Sequence, residues 1–312
     1  MNTNAKPVTI LTGFLGAGKT TVLNAILRSK KDSRFAIIEN EVGEISIDGE
    51  LIVKNTDSFT ELNNGCICCS INDSFVDTLR KISQRDDWDE LIIEATGIAN
   101  PAGIIEPFKQ LQWLQKYFQI PNVIAIADAK NIESQLKVSE TAATQLAFGN
   151  KIYISKTEEV LEDELQSIKK LVKDFNPLAQ LHTGSKSAIP IAELLKSDEL
   201  STSPSLPSEH KPKHDHFEAI TLVYDQAFDE QKLFSRLYTF LIVQSADVYR
   251  FKGVFNDSRR PNKLVIQSVM KSLYVEEAET WNEGDERKSK FVFIGKNLQS
   301  KGFDRMLKSC FL

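Results

Sequence analysis

Through the first two-thirds of the chain the apolar residues gather into short, β-branched runs at 8–12, 35–38, 91–93, 123–127, 151–155 and, more weakly, 178–182. Most are apolar nearly throughout rather than alternating, which suits strands buried on both faces. Between most of them apolar residues recur at three- and four-residue spacing, in 20–29, 74–82, 104–117 and 160–175, and this spacing predicts helices. Strands alternating with helices predict an α/β fold, a doubly wound and mainly parallel sheet covered on both sides.

The pattern breaks at 197–213, where Ser201, Ser203, Pro204, Ser205, Pro207, Ser208 and Pro212 stand among charges with almost nothing to bury. Such a segment reads as a linker. Beyond it, strands are expected at 217–224, 248–255, 263–269 and 290–294, and helices at 230–243 and 303–311. That order suits a smaller C-terminal α+β domain with an antiparallel sheet. The expected organisation is a first domain over 1–197, a linker over 198–213 and a second domain over 214–312.

Composition narrows the function classes. With 38 Lys and Arg against 43 Asp and Glu, the net charge of -5 argues against a sequence-independent nucleic-acid binder, which needs a basic surplus to displace counterions. No stretch approaches the roughly 20 apolar residues of a membrane span, and Met1 to Lys6 lacks the apolar core of a signal peptide. The expectation is a cytoplasmic protein with neither a nucleic-acid nor a membrane partner.

Directly after the first predicted strand stands Gly13-Phe14-Leu15-Gly16-Ala17-Gly18-Lys19-Thr20, which fits G-x-x-x-x-G-K-[ST] and opens the first predicted helix. Glycine lets backbone N–H groups turn inward around a phosphate, and the helix N-terminus adds donors and the positive end of its dipole. Lys19 would pair with the β- and γ-phosphates, the Thr20 hydroxyl would ligate Mg²⁺, and Thr21 would reach the α-phosphate. The spacing of Gly13, Gly16 and Gly18 does not match the dinucleotide fingerprint G-x-G-x-x-G.

The run at 91–93 ends in Glu94-Ala95-Thr96-Gly97. A carboxylate ending a buried strand needs a cation, which in P-loop proteins is the Mg²⁺ opposite the loop, so Glu94 is the Walker B candidate. Gly97 would give its N–H to the γ-phosphate and couple the following segment to nucleotide state. After the fifth run, Ser155-Lys156-Thr157-Glu158 partly fits the guanine-reading pattern Asn-Lys-x-Asp, with Ser in place of Asn and Glu in place of Asp. In that reading the Lys156 stem stacks on the base and Glu158 accepts its N–H groups. The alternative is an ordinary helix start, with Ser155 as N-cap and Glu158 three residues on.

Three of the four cysteines crowd into Cys66-Ile67-Cys68-Cys69, in a loop by composition and just before a predicted helix. The spacing is too tight for a disulfide framework, and a helix N-terminus favours thiolate. Soft thiolates suit Zn²⁺ or another thiophilic ion, and a shell short of four ligands suits a site that releases its metal. Small buried hydrophobes and a redox pair are the competing readings. Glu39 and Glu44 stand in a second acidic cluster after the second strand and would lend oxygen ligands, although solvated loop carboxylates account for them equally well. His214 and His216, two apart, would bind metal only loosely.

Taken together, Gly13 to Thr20 as GFLGAGKT, Glu39 to Asp48 as ENEVGEISID, Asn64 to Ser70 as NGCICCS and Glu94 to Pro101 as EATGIANP make this sequence similar to the CobW-like P-loop GTPases, a class that also holds HypB and UreG. The segments 249–254, 261–264 and 291–295 resemble that family's C-terminal domain. The resemblance implies GTP hydrolysis, with nucleotide contacts at Gly13, Phe14, Leu15, Gly16, Ala17, Gly18, Lys19, Thr20 and Thr21, Mg²⁺ at Thr20 and Glu94, and base contact near Lys156 and Glu158. It implies transition-metal binding at Cys66, Cys68 and Cys69 with Glu39 and Glu44, a role as a metal chaperone in metal insertion or as a regulator of zinc homeostasis, and an apo-metalloprotein recipient, a homo-oligomer being left open. Two rival readings are a nucleotide-dependent binding switch with structural or redox cysteines, and a small-molecule kinase, for which no acceptor or lid motif is present.

Overall fold

The computed structural model describes residues 5–39, 73–196, 217–244, 247–269, 272–282 and 284–312. The chain divides into two compact units, Met1–Leu171 with Ala179–Ser197, and Val172–Leu178 with Asp198–Leu312.

In the first unit, β1 (Val8–Gly13), α1 (Lys19–Ser29), β2 (Phe35–Glu39), α2 (Asp73–Ser83), β3 (Glu90–Glu94) and α3 (Ala102–Gln110) are followed by β4 (Asn122–Asp128), α4 (Ile132–Val138), α5 (Glu140–Phe148), β5 (Lys151–Ser155), α6 (Glu162–Phe175), β6 (Gln180–Thr183) and α7 (Ile191–Leu195). The last turn of α6, from Val172, is counted with the second unit. The strands pair in the order β2-β3-β1-β4-β5-β6, every pair parallel. β1 therefore sits where the strand order changes direction, and in open parallel sheets ligands bind outside the C-terminal strand ends at such a point. Leu11, Ile37, Ile92 and Ile124 pack with Val22, Leu23 and Ile26 of α1 and Leu194 of α7 in one buried cluster. Lys151 is fully buried beside it, and its ammonium donates to the Glu193 and Leu194 carbonyls at 3.0 and 3.1 Å, capping the C-terminal end of α7.

The second unit carries β7 (Glu218–Tyr224), α8 (Glu230–Gln244), β8 (Val248–Phe255), β9 (Asn262–Val269), β10 (Ser272–Thr280), β11 (Ser289–Gly295) and α9 (Phe303–Lys308). Its sheet is antiparallel, ordered β10-β9-β8-β11-β7. Phe228, Phe251, Phe255, Phe291 and Phe293 fill its core with Leu233, Leu237 and Leu241 of α8. Gly253 makes room for this aromatic layer, since a Cβ there would come within 2.4 Å of the Phe291 ring.

Three expectations are corrected. The helix expected over 104–117 ends at Gln110, where Leu111 turns extended (φ -92°, ψ 98°), and only a short 3₁₀ turn follows at Leu114–Lys116. The helix expected over 160–175 starts at Glu162, where the N–H of Leu161 finds the Glu164 carboxylate at 2.9 Å. The last helix is shorter than 303–311, because it stops at Lys308 and Phe311 bridges back to Phe228. The expected linker lies outside the described residues.

Candidate nucleotide and metal site

Gly13 ends β1 with φ +148°, and a Cβ there would fall 2.3 Å from the Ile126 carbonyl oxygen of β4, so only glycine lets the strand pass its neighbour at this point. Gly16 and Gly18 follow in the left-handed region at φ +73° and +103°, with open space where a side chain would stand. The loop closes through Ala17 N–H donating to Phe14 O at 3.2 Å and runs directly into α1, whose first residue is Lys19. This is a cradle of backbone donors at a helix N-terminus, and it fits a phosphate chain. The Lys19 ammonium folds back over it, donating to the Gly13 and Phe14 carbonyls at 3.1 and 3.4 Å. Thr21 sits inside the first turn of α1.

Thr20 Oγ1 donates to Glu94 Oε1 at 2.8 Å, bringing a hydroxyl from the start of α1 and a carboxylate from the end of β3 to one point beside the loop. Two hard oxygens held this way fit Mg²⁺. Glu94 is also the register partner of Glu39, so the C-terminal residues of β2 and β3 are both carboxylates, side by side and neither exposed.

The segment after β3 lies against the phosphate loop. A Cβ on Gly97 would be 2.6 Å from Leu15 Cδ2 and 2.8 Å from Leu15 N. Thr96 shapes the turn, its hydroxyl accepting from Ile98 N–H and its carbonyl from Ala99 N–H, both at 3.1 Å.

After β5 a short 3₁₀ helix does start, at Thr157–Glu159, but Lys156 and not Ser155 stands at its N-cap. The Ser155 hydroxyl caps nothing; it lies buried 2.7 Å from the Ala17 carbonyl of the phosphate loop and 3.2 Å from that of Ala127. Lys156 adopts φ 57°, a left-handed conformation uncommon away from glycine, and its ammonium reaches Asp128 Oδ2 at 2.6 Å. Glu158 stands in a 3₁₀ turn and accepts from Lys186 N–H at 3.3 Å. Ser155, Lys156 and Glu158 thus form a loop tied to the phosphate cradle.

Asp128 was not singled out from the sequence, although it ends an apolar strand just as Glu94 does. It is buried at the end of β4 and accepts from Lys130 N–H, Asn131 Nδ2 and Lys156 Nζ. Burial pushes its carboxyl up, but the hydrogen bonds from Lys156 and Asn131, the Lys156 charge and the Lys130 N–H outweigh this and hold it below the ordinary carboxylate range. A depressed folded-state pKa gives stability that is present above the ordinary value near 4 and is lost as pH falls through the folded value. Asp128→Asn is therefore expected to cost about 1–2 kcal/mol at neutral pH, with the gap to wild type closing below about pH 4. Urea unfolding of both proteins across pH 3–7 checks it; a gap independent of pH would mean the carboxylate charge is not what binds Lys156.

Of the expected transition-metal ligands only Glu39 is among the described residues, and Glu44, Cys66, Cys68 and Cys69 lie outside them, as do His214 and His216. Among the described residues no three His, Cys, Asp or Glu side chains are grouped to hold a metal, and no helix is long and apolar enough to cross a membrane.

Two families match the chain. One, described as the CobW/HypB/UreG nucleotide-binding domain, covers residues 7–183, and the cobalamin synthesis protein cobW C-terminal domain covers 217–311. The chain is 32% identical over 306 residues to the zinc chaperone YjiA of Escherichia coli, covering 94% of each, and 25% identical over 331 residues to the zinc chaperone CobW of a Sinorhizobium species, covering 93% of this chain and 92% of that one. The crystal structure of Zn(II)-bound YjiA GTPase from E. coli superposes with a TM-score of 0.76 at 26% identity, over 99% of this chain and 100% of the other.

Proposed function

Since this chain belongs to the CobW/HypB/UreG family, we propose that it is a GTP-hydrolysing metal chaperone that binds zinc, or a similar transition metal, and hands it to an apo-metalloprotein. The observation that carries the reading is the convergence of Lys19, Thr20 and Glu94 on the glycine cradle. The cargo metal would be held by Cys66, Cys68 and Cys69 with Glu39 and Glu44, soft thiolates and hard carboxylates in one shell.

GTP enters with its phosphates along the backbone N–H groups of Gly13 to Thr20. Thr20 and Glu94 would hold Mg²⁺, which would supply charge neutralisation at the phosphate oxygens. Lys19 trades its bonds to the Gly13 and Phe14 carbonyls for phosphate oxygens, and its charge together with the loop N–H groups stabilises the transferring γ-phosphoryl while water attacks in line. Among the described residues that form the site above there is no glutamine or arginine assigned to orient that water, so turnover is expected to be slow unless a partner supplies one.

Glu158 sets the preference for guanine by accepting the base N–H groups while the Lys156 stem covers the ring. GTP is then expected to bind about 10–100-fold more tightly than ATP, the worth of one bidentate base contact, and Glu158→Ala to close the gap. Competition binding of the two nucleotides to both proteins tests this. Equal affinities in the wild type would defeat the guanine assignment, and failure to hydrolyse either nucleotide would defeat the enzymatic one.

A further inference from the structure

Gln145, in α5, takes no part in the chemistry above, yet it is buried to within 1% of its surface beneath the segment that follows β3. Its Nε2 donates to two carbonyls of that segment, Gly97 O and Ala99 O, each at 3.1 Å. Its Oε1 is buried and makes no hydrogen bond among the described residues. Burying an amide with an unsatisfied oxygen costs free energy that an apolar side chain of the same size would avoid. The polarity of residue 145 is therefore accounted for by the two carbonyls it grips.

The first of those carbonyls belongs to the residue that meets the nucleotide loop. Gly97 is pressed between Gln145, which holds its carbonyl, and Leu15, whose backbone nitrogen would be 2.8 Å from a Cβ at 97. The turn itself is closed by Thr96, through the Ile98 and Ala99 N–H groups, and none of the described residues takes up the Gly97 N–H. The rest of α5 is a rigid base for this grip: it is capped by Ser139 Oγ accepting from Ala142 N–H at 3.2 Å, and Ala142, Ala143, Leu146, Ala147 and Phe148 are all buried.

We propose that Gln145 is a positioning residue for γ-phosphate recognition: by holding the Gly97 and Ala99 carbonyls it keeps the Gly97 N–H presented to the phosphate loop, so that a nucleoside triphosphate gains a contact that a diphosphate lacks. The inference rests on the nucleotide-binding reading above. A segment already in place does not have to be ordered when the triphosphate binds, and that saving appears only in affinity that depends on the γ-phosphate. A side chain that merely filled space or satisfied two carbonyls would affect both nucleotides alike.

The test is the ratio of affinities for Mg-bound GTP analogue, with an imido bridge between the β- and γ-phosphates, and Mg-GDP. Gln145→Met keeps the volume and removes the donor. The variant is expected to lose about tenfold in that ratio with GDP affinity unchanged, the worth of a hydrogen bond or two. Equal losses for both nucleotides, or an unchanged ratio, would overturn the positioning role. If the wild type binds neither nucleotide, the nucleotide-binding reading falls and this inference with it. Should the variant not fold, the wild-type Gln145 side-chain amide signals in ¹⁵N NMR serve instead: they are expected to move between the GDP and analogue complexes more than between the free and GDP forms, and signals that stay put on addition of the γ-phosphate would overturn the proposal.

Discussion

Lys19→Ala is expected to lower single-turnover GTP hydrolysis by about 10²–10³-fold, the usual cost of removing one preorganised donor from developing transition-state charge. The Lys19 ammonium is already drawn over the glycine cradle by the Gly13 and Phe14 carbonyls, so it meets the phosphates without a search through rotamers. Because Lys19 is only half-buried and stands outside the core cluster that α1 packs, the variant should keep its fold, with a thermal midpoint within a few degrees of wild type. Thr20→Ala removes the other half of the arrangement, the hydroxyl bonded to Glu94 Oε1, and is expected to fail in the same assay while its activity recovers in part at raised Mg²⁺. Lys19→Ala should not respond to Mg²⁺, since it lacks a charge rather than a ligand. Near-normal turnover in both variants would remove the phosphate loop from the catalytic account.

What was legible in the sequence follows from how each element is buried. β1 to β5 are legible because both faces of each strand are covered, even at the edge strand β2, which leaves an unbroken apolar run such as Leu91-Ile92-Ile93. α5 was not, for a related reason: from Ala142 to Phe148 every residue is buried, Thr144 and Gln145 included, so there is no polar face to reveal a helical period. β10 was missed because it lies at the sheet edge with Glu276, Glu277 and Thr280 exposed, a composition that reads as loop. In the site, Gly13 to Thr20 was legible because a phosphate cradle needs glycine at fixed offsets, whereas Asp128 and Gln145 act through contacts with residues 28 and about 47 positions away. No local spacing encodes such contacts. Ser155 shows the opposite failure: a serine before a short polar stretch suggests a helix cap, and only the approach of the Ala17 carbonyl reveals its partner.

The cargo site yields the other large effect. Cys68→Ser is expected to weaken zinc binding by at least about a hundredfold, because even outer partners of metal ligands cost 10–100-fold when removed and a hydroxyl is a poor substitute for a thiolate. Mg-GTP binding should survive, since the phosphate cradle contains no cysteine. The same variant tests whether nucleotide and cargo are coupled, and the strand register supplies the physical route. Glu39 is the partner of Glu94 across β2 and β3, and Glu94 is bonded to Thr20, so one carboxylate separates the expected zinc ligand from the residue that holds Mg²⁺. Neighbouring strand positions are about 4.8 Å apart, close enough for two carboxylates to repel unless a cation offsets their charge. The γ-phosphate, which the analogue carries and GDP lacks, would add negative charge beside this pair of carboxylates and so favour a second cation at Glu39. Zinc is therefore expected to bind the Mg-GTP-analogue form more tightly than the Mg-GDP form by about 1–3 kcal/mol, and by reciprocity zinc should tighten the analogue by the same factor. Titration against a chromogenic zinc chelator in each nucleotide state measures it. Equal zinc affinities in the two states would mean that hydrolysis does not gate the metal through Glu39 and Glu94, and a coupling that persisted in Cys68→Ser would place the responsive zinc elsewhere.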